Sequence, residues 1–292
     1  DFLLRGDLGA GEAYMRGDWQ VDDLPAFIEL ATRNAAAVGG DTWFTALMNV
    51  PNTVAHWMRR NTRQGSRRNI HAHYDLSNEL FALFLDPTMA YSSAVFASPD
   101  QPLEVARRRK FDALLTKADV RAGDHLLEIG CGWGGFALHA ARTRGCRVTG
   151  ITISEEQFAL AVERVRAAGL QDRVDIQLRD YRDLRGQFSA IVSIEMLEAV
   201  GREHWPAFFG TCDKVLAPNG RIALQVITVP DHRFERYART ADWIQKYIFP
   251  GSLLGSIGGF IDAMREAGTT LTIRGVEDIA PHYAETLKRW RT

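Results

Sequence analysis

The sequence lacks the cysteine content of a disulfide-bonded or zinc-binding protein. Its three cysteines, Cys131, Cys146 and Cys212, are odd in number and widely spaced along 292 residues, which predicts neither a disulfide framework nor a metal site. No apolar run reaches the roughly 18 residues that a membrane-spanning helix requires. We therefore expect a cytoplasmic protein that at most contacts a membrane surface.

An excess of charge of either sign is also absent. The sequence has 35 Lys and Arg against 36 Asp and Glu, which gives a net charge of -1 at pH 7. A dedicated nucleic-acid-binding protein has a strongly basic surface, so nucleic acid is not expected as a partner. Any basic surface must be local.

Two regions of different character predict two domains, which a chain of this length can hold. Residues 1–65 have a helical pattern with Trp19, Trp43 and Trp57, and we interpret them as a helical N-terminal module. Residues 66–292 form the second domain. An arginine cluster near the border is either a solvated, partly paired surface or a contact for anionic lipid head groups. It comprises Arg59, Arg60, Arg63, Arg67 and Arg68.

Strand-like and helix-like segments alternate from Glu128 onward, which is typical of a doubly wound α/β sheet. Strands are predicted at LLEIG, CRVTGITIS, VDIQLRD, SAIVSIEM and RIALQVITV, and helices over 136–144, 155–168 and 204–216. Ala217-Pro218 and Asn219-Gly220 predict the end of the last of these helices and a turn before the final strand.

The segment LLEIGCGWGGF, residues 126–136, interrupts an apolar strand with Gly130, Gly132 and Gly134 before a helix begins. Glycine is needed where the backbone adopts positive φ and where a ligand must approach the main chain. The turn lacks the Gly-Lys-Ser/Thr ending of a phosphate-binding loop, which argues against ATP and GTP. A dinucleotide fingerprint can be matched by taking Gly135 as its last glycine, and a turn that only packs a helix on a strand is the alternative without a ligand.

Six segments in chain order, one of which contains this glycine turn, carry a more specific resemblance. They are HYDLSNELFALFLDPTMAYSSAVF, LLEIGCGWGGFALHAA, GITISEEQ, SIEMLEAVG, DWIQKYIFPGSLLGS and PHYAETLKRW. Together they resemble the cyclopropane fatty acid synthases and their mycolic-acid-modifying relatives over about residues 70–292. RGDLGAGEAYMRGDW resembles the N-terminal domain of the bacterial members. The resemblance implies a Rossmann-like methyltransferase sheet that follows the helical module, with S-adenosylmethionine as cofactor.

The resemblance also implies which residues bind the cofactor. Tyr91 and Ser92 would reach its methionine end, Thr152 and Gln157 its ribose, and Asp180 and Tyr181 its adenine; Gly130, Gly132 and Gly134 would shape the turn. A typical methyltransferase has an acidic residue at the end of the second strand, where this sequence reads Gly150-Ile151-Thr152, a departure that the resembled family shares. Ser154, just before Glu155-Glu156-Gln157, is interpreted as part of a capping box and as nothing more.

The reaction implied is methyl(ene) transfer to the double bond of an unsaturated acyl chain of a phospholipid at a membrane surface, giving a cyclopropane. In the resembled family, a bicarbonate held by Cys, Glu, His and Tyr removes a proton from the carbocation. Glu198 and Tyr283 match that set, whereas Ser93 stands at the Cys position and Ile227 at the His position. We expect the Ser93 hydroxyl still to bond an anion, while the Ile227 side chain cannot.

Two consequences remain open at this point. Either bicarbonate is held by fewer groups, or Glu198, with its pKa raised in an apolar pocket, accepts the proton itself. His73 is the remaining imidazole near the site. It either has a structural role or contacts the anion or the substrate, and the sequence favours neither.

The altered base pocket also leaves the product open. A hydride shift before proton loss gives a methylene branch, which is later reduced to a methyl branch, instead of a ring. An amine methyltransferase is a further alternative, and a lipid-binding scaffold that keeps the fold without activity is the alternative that is not an enzyme. A homodimer is compatible with the sequence.

Overall fold

The computed structural model of the protein describes residues 2–34, 77–240 and 242–291. The predicted residues Trp43, Trp57 and His73, the arginine cluster and the predicted border at residue 65 lie outside these ranges. The described part of the N-terminal region is helical, with α1 at Phe2–Arg16 and α2 at Leu24–Arg33. α2 begins where the Asp23 side chain accepts a hydrogen bond from Ala26 N, which satisfies one of the free amides of the first turn.

The centre of the protein is a sheet of five parallel strands, which confirms the predicted doubly wound α/β fold. The strands are β1 His125–Ile129, β2 Arg147–Thr152, β3 Val174–Leu178, β4 Phe188–Ile194 and β5 Leu216–Gln225. Their order is β3-β2-β1-β4-β5, so the winding reverses between β1 and β4. In sheets of this kind, ligands bind outside the carboxyl ends of the strands at the reversal.

Helices precede, connect and follow the strands. They are α3 Asn78–Ala82, α4 Leu103–Lys117, α5 Gly135–Arg144, α6 Glu155–Ala167, α7 Trp205–Val215, α8 Asp231–Tyr237, α9 Trp243–Tyr247, α10 Ile257–Glu266 and α11 Ala280–Arg291. The three helices predicted from the sequence correspond to α5, α6 and α7, with each end shifted by one residue at most.

β5 differs from its prediction because it begins at Leu216, before the predicted turn. Leu216 pairs with Phe188, and after a register shift the pairing resumes at Arg221. Asn219 lies inside this shift with a φ of 63°, and a Cβ at Gly220 would lie only 2.7 Å from the oxygen of a neighbouring backbone carbonyl. The predicted turn is therefore present as an irregularity within the strand.

Separate hydrophobic cores cover the two faces of the sheet, because successive strand residues point to opposite sides. Leu126 belongs to the core that contains Phe111 and Phe136, while Leu127 belongs to the core that contains Phe208. Burial of both faces fixes the carboxyl ends of the strands relative to one another. Among the described residues, the structure has no helix with the length and hydropathy needed to span a bilayer.

Helix α1 contacts α9 through a carboxylate that is largely buried. Glu12 Oε1 accepts hydrogen bonds from Lys246 Nζ at 2.5 Å and from Tyr247 Oη at 3.0 Å. Gly11 lies so close to Trp243 that a Cβ would approach the indole Cδ1 to 2.5 Å. The N-terminal helix therefore packs on the same helix that contributes to the cavity described below.

Candidate active site

A cavity of about 350 Å³ opens at the carboxyl edge of the sheet. The turn after β1, the ends of β2 and β4, α9 and α11 contribute to its walls. The cofactor residues predicted from the sequence that line it are Tyr91, Ser92, Gly130, Gly132, Thr152, Gln157, Asp180 and Tyr181. Of the predicted catalytic residues, Glu198 and Tyr283 line the cavity and Ser93 does not. His73 lies outside the described residues.

The glycine turn after β1 leaves one backbone position open to a ligand. Gly132 has a φ of 51°, and a Cβ there would meet no atom within 4 Å. Gly130 must be glycine for a different reason, since a Cβ would lie 2.6 Å from Met196 Cγ. Gly134 is the N-cap of α5 with a φ of 78° and faces Ala161 of α6. Gly134 therefore serves helix packing and does not line the cavity, and its part in shaping the cofactor turn stays a prediction.

Two buried ionisable side chains lie beside this turn. Glu128 lines the cavity, and its Oε2 has no hydrogen-bond partner in the part of the chain that the structure describes. Burial raises the pKa of Glu128 well above its ordinary value, while Lys110 opposes that rise. Lys110 donates from Nζ to Ser92 Oγ at 2.6 Å, and burial lowers its pKa to about 7. A ligand with an amino group would give Glu128 the partner that it lacks.

The end of β2 presents a fixed polar pair to the cavity. Thr152 Oγ1 donates to Gln157 Oε1 at 2.9 Å and accepts from Ser154 N at 3.1 Å. Ser154 Oγ accepts from Gln157 N, which confirms Ser154 as the N-cap of α6. The Gln157 side chain is held by Thr152 instead of Ser154 N, so the reciprocal half of a capping box is not formed.

The residues after β3 offer an aromatic face and an ion pair. Both carboxylate oxygens of Asp180 accept hydrogen bonds from Arg182, at 2.8 Å from Nε and at 2.6 Å from Nη2. The Arg182 guanidinium also lies 5.4 Å from the ring centroid of Tyr181. Burial raises the pKa of Tyr181 to about 12, so its hydroxyl is neutral at physiological pH.

Another part of the cavity wall is formed by aromatic rings. Tyr91 stacks on Trp290 of α11 with centroids 5.1 Å apart, and the Tyr91 centroid lies 6.1 Å from that of Phe249. Phe81 and Phe84 pack edge-on against Tyr91. Such faces exclude water and attract positive charge.

Helix α11 brings Tyr283 to the cavity. The helix is held against the residues that follow Tyr91, because the buried Thr286 Oγ1 accepts a hydrogen bond from Ala94 N at 3.0 Å. Burial, and then the charge of Glu195, raises the pKa of Tyr283. Its phenol is therefore a neutral hydrogen-bond donor at physiological pH.

Glu198 lies in the 3-10 turn that follows β4 and is largely enclosed. Its Oε1 accepts a hydrogen bond from Ile227 N at 2.6 Å, and its Oε2 is buried without a partner among the described residues. Burial, and then the charge of Glu195, raises the pKa of Glu198 to about 8. The expectation that Ile227 makes no polar contact holds for its side chain only, because its backbone amide binds the carboxyl.

In this structure the backbone of Ser93, and not its hydroxyl, contacts Glu195. The side chain is buried and donates from Oγ to Ala94 O at 3.0 Å, and a contact of the hydroxyl to an anion stays a prediction. Ser93 N donates to Glu195 Oε1 at 2.8 Å, and Gln225 Nε2 donates to the same oxygen at 2.7 Å. Gln225 Nε2 also contacts Ser93 O at 3.2 Å.

The sequence analysis missed Glu195 and Gln225. Glu195 lines the cavity and is the first of two acidic residues in SIEMLEAVG, directly after β4. Paired carboxylates at the carboxyl end of a buried strand were the available signal. Nothing in the sequence indicated that Gln225, the last residue of β5, would hold one of them.

The raised pKa of Glu198 predicts a pH-dependent stability. Between its ordinary pKa of 4.5 and its folded pKa of about 8, the native state keeps a proton that the unfolded state has lost, so the stability contributed by this group falls as pH rises. Glu198→Gln removes the titration. Relative to the parent, the variant should gain at least about 1 kcal/mol between pH 5 and pH 8, measured by urea unfolding. An equal difference between the two proteins at both pH values would contradict this assignment.

Comparison with known proteins agrees with this geometry. Residues 61–292 match the family described as mycolic acid cyclopropane synthetase. Tuberculostearic acid methyltransferase UfaA1 of Mycobacterium tuberculosis is 43% identical over an alignment that covers 98% of this chain and 68% of that protein. Cyclopropane-fatty-acyl-phospholipid synthase of Escherichia coli K12 is 36% identical, with 87% of this chain and 64% of that protein covered. The alignments with two probable fatty acid methyltransferases, of Pseudomonas putida and Mycobacterium tuberculosis, span only about half of the length of those proteins.

A solved structure gives the same result. Mycolic acid cyclopropane synthase CmaA1, crystallised with SAH and CTAB, superimposes with a TM-score of 0.69 at 32% identity, covering 77% of this chain and 81% of that one. The resemblance found in the sequence motifs is thereby confirmed. The chain belongs to the mycolic acid cyclopropane synthetase family.

Proposed function

We propose that the protein is an S-adenosylmethionine-dependent C-methyltransferase that acts on the double bond of an unsaturated acyl chain of a phospholipid. The observation that carries this proposal is a single cavity with two kinds of wall. One part of the wall is the open glycine turn beside Glu128, whose Oε2 has no hydrogen-bond partner among the described residues. Another part is the aromatic wall around Tyr91 and Trp290. An alkene and a polar cofactor need these two environments side by side.

The polar residues fit the cofactor. Gly132 leaves room for a ligand against the main chain, and Glu128 Oε2 can accept from the amino group of the methionine moiety. Thr152, Gln157 and the ring of Tyr181 would hold the nucleoside. When bound, S-adenosylmethionine supplies a methyl group on a positively charged sulfur, which is reactive enough for an isolated alkene.

The remaining residues exclude water and handle positive charge and a proton. Tyr91, Trp290 and Phe249 cover the site with aromatic faces, which favour a cation without reacting with it. Glu198, Tyr283 and Glu195 add the groups that can hold or accept a proton.

For the product, we propose a methylene branch, the precursor of a methyl branch, ahead of a cyclopropane. The relative whose alignment covers 98% of this chain is named a tuberculostearic acid methyltransferase, and the carboxylate of Glu195 stands in the pocket where a bicarbonate was expected. The cyclopropane remains the second candidate, since the relative from Escherichia coli is named for that product.

We also propose that residues 1–65 form a module that brings the protein to the membrane surface, where its substrate lies. The arginine cluster from Arg59 to Arg68 supports this proposal through its charge.

The proposed reaction is tested with purified protein, methyl-deuterated S-adenosylmethionine and vesicles of dioleoyl phosphatidylglycerol. We expect label in the acyl chains, and no label in dipalmitoyl vesicles, which lack a double bond. Ozone cleaves a methylene group but leaves a cyclopropane ring intact, so mass spectrometry after ozonolysis identifies the product. Methylation of an amine without lipid would refute the proposal.

Cofactor binding is tested by Gly132→Ala, which puts a methyl group into the open space of the turn. Gly169→Ala is the matched control, because Gly169 also has positive φ, 65°, with nothing within 4 Å, and does not line the cavity. Calorimetry should show an affinity for S-adenosylmethionine at least about 10-fold lower for Gly132→Ala and unchanged for Gly169→Ala. Equal affinities in folded proteins would remove the turn from the cofactor site.

Membrane association is tested by vesicle sedimentation. If the arginine cluster contacts anionic head groups, binding requires anionic lipid and weakens as salt is added. Replacing the five arginines by glutamine should abolish it. Equal binding to neutral vesicles would exclude the electrostatic contact.

A further inference from the structure

We infer that Glu195 is the proton acceptor of the reaction, a carboxylate built into the chain at the place where a bound bicarbonate was expected. This inference rests on the proposed function and adds the residue that completes it. It is carried by the backbone geometry of Glu195, by the hydrogen bonds on its carboxylate and by its place in the cavity wall.

The backbone of Glu195 is in a conformation that favours glycine. Its φ is 47°, in the left-handed region where a Cβ is crowded by the backbone. The residue stands directly after β4, at the edge of the sheet that opens into the cavity. A strained position that carries a long acidic side chain at such an edge indicates that the side chain has a function.

The carboxylate of Glu195 is fixed at one oxygen and free at the other. Oε1 accepts from Ser93 N at 2.8 Å and from Gln225 Nε2 at 2.7 Å. The backbone amide of Glu195 also donates to Gln225 O at 2.7 Å. Oε2 has no hydrogen-bond partner among the described residues. One oxygen is therefore held for orientation, and the other is available to a proton from the cavity.

The neighbouring groups leave the role of acceptor to Glu195. Tyr91, Tyr283 and Glu198 all have their pKa raised in part by its charge, so each of them keeps its proton near neutral pH. Lys110 and the buried Arg107 are the cations whose charge interacts with Glu195. The two carboxyl groups of Glu195 and Glu198 thus differ in environment. Glu195 Oε1 accepts two hydrogen bonds, whereas Glu198 is buried and in the neutral form.

The same arrangement disfavours a second anion. The Ser93 hydroxyl is turned to Ala94 O, and of the residues expected to hold bicarbonate only Glu198 and Tyr283 present polar side-chain atoms to the cavity. In an enclosed cavity, where little water screens charges, the carboxylate of Glu195 would repel bicarbonate. The chain therefore supplies its own negative charge next to the developing carbocation.

In the proposed step, a C–H bond of the transferred methyl group breaks. For the cyclopropane, its electron pair forms the σ bond from the methyl carbon to the cationic carbon and closes the ring. For the methylene branch, a hydride first shifts from the methyl-bearing carbon to the cationic carbon, and the electron pair then forms the π bond of the methylene double bond. The proton passes to Glu195 Oε2 and later to solvent. No oxidant or further reactant is needed. The step has the same balance for the methylene branch and for the cyclopropane, so it does not depend on which product forms.

The test compares lipid turnover by the parent, Glu195→Gln, Glu195→Gly and Glu198→Gln in buffer depleted of bicarbonate. Glu195→Gln should lose at least about 100-fold in turnover, the lower range for a general base, and should lose more than Glu198→Gln. Glu195→Gly relieves the strained backbone and should be equally inactive, but added formate or bicarbonate should restore turnover at least about 10-fold. Asp119→Asn and Asp119→Gly are matched controls, because Asp119 is an acidic residue with a φ of 54° outside the cavity.

Full turnover by Glu195→Gln would overturn the inference, and so would strict dependence of the parent on bicarbonate. A third contrary result is a pH profile in which the turnover rate of the parent rises with an apparent pKa of about 8, because that value belongs to Glu198.

A second experiment needs no turnover and measures the binding of cetyltrimethylammonium below its critical micelle concentration. This cation carries a positive charge on an alkyl chain, as the carbocation intermediate does. Its affinity should fall at least about 10-fold in Glu195→Gln and stay unchanged in Asp119→Asn. If the parent protein binds the cation through Glu195 but does not methylate lipid, only the proposed function is refuted. If Glu195→Gln still methylates lipid, only this inference is refuted.

Discussion

One carboxylate joins three segments that are distant in the sequence. Glu195 Oε1 receives hydrogen bonds from Ser93 N and Gln225 Nε2, and so links the segment before α4 to the ends of β4 and β5. Tyr91 belongs to the first of these segments, so its position over the sheet edge depends on this junction. Helix α11 is bound to the same segment through Thr286. The aromatic wall and the acidic residues of the cavity are therefore positioned together.

Burial then sets the chemistry of the groups that this junction assembles. Glu128 and Glu198 both have a raised pKa because they are removed from water, and Lys110 has a lowered pKa for the same reason. In such an environment, a neutral carboxyl and a charged one perform different tasks at one pH.

The sequence predicted the parts of the site that depend on local rules. The glycine turn, the strands and the N-cap at Ser154 follow from short-range preferences and hydrophobic pattern. Only the packed structure shows that Gly134 faces Ala161. The contact of Gln225 with Glu195 crosses 30 residues between adjacent strands, and no local pattern encodes which side chain of a strand end turns toward its neighbour. The hydrogen bond from the Ser93 hydroxyl to Ala94 O is a rotamer choice that no sequence pattern encodes either.

Backbone irregularity is concentrated where the cavity is. Met89 and Glu195 are non-glycine residues with positive φ, and both line it. Of the other two described residues of this kind, Asp119 follows the end of α4 and Asn219 lies in the irregular part of β5, and neither lines the cavity. A fold gains no stability from a glutamate in the left-handed region, because glycine satisfies the same backbone without strain. We therefore attribute the strained backbone of Glu195 to the role that we infer for its carboxylate. This strained residue lies at the carboxyl edge of the sheet, where the strand order predicts that ligands bind.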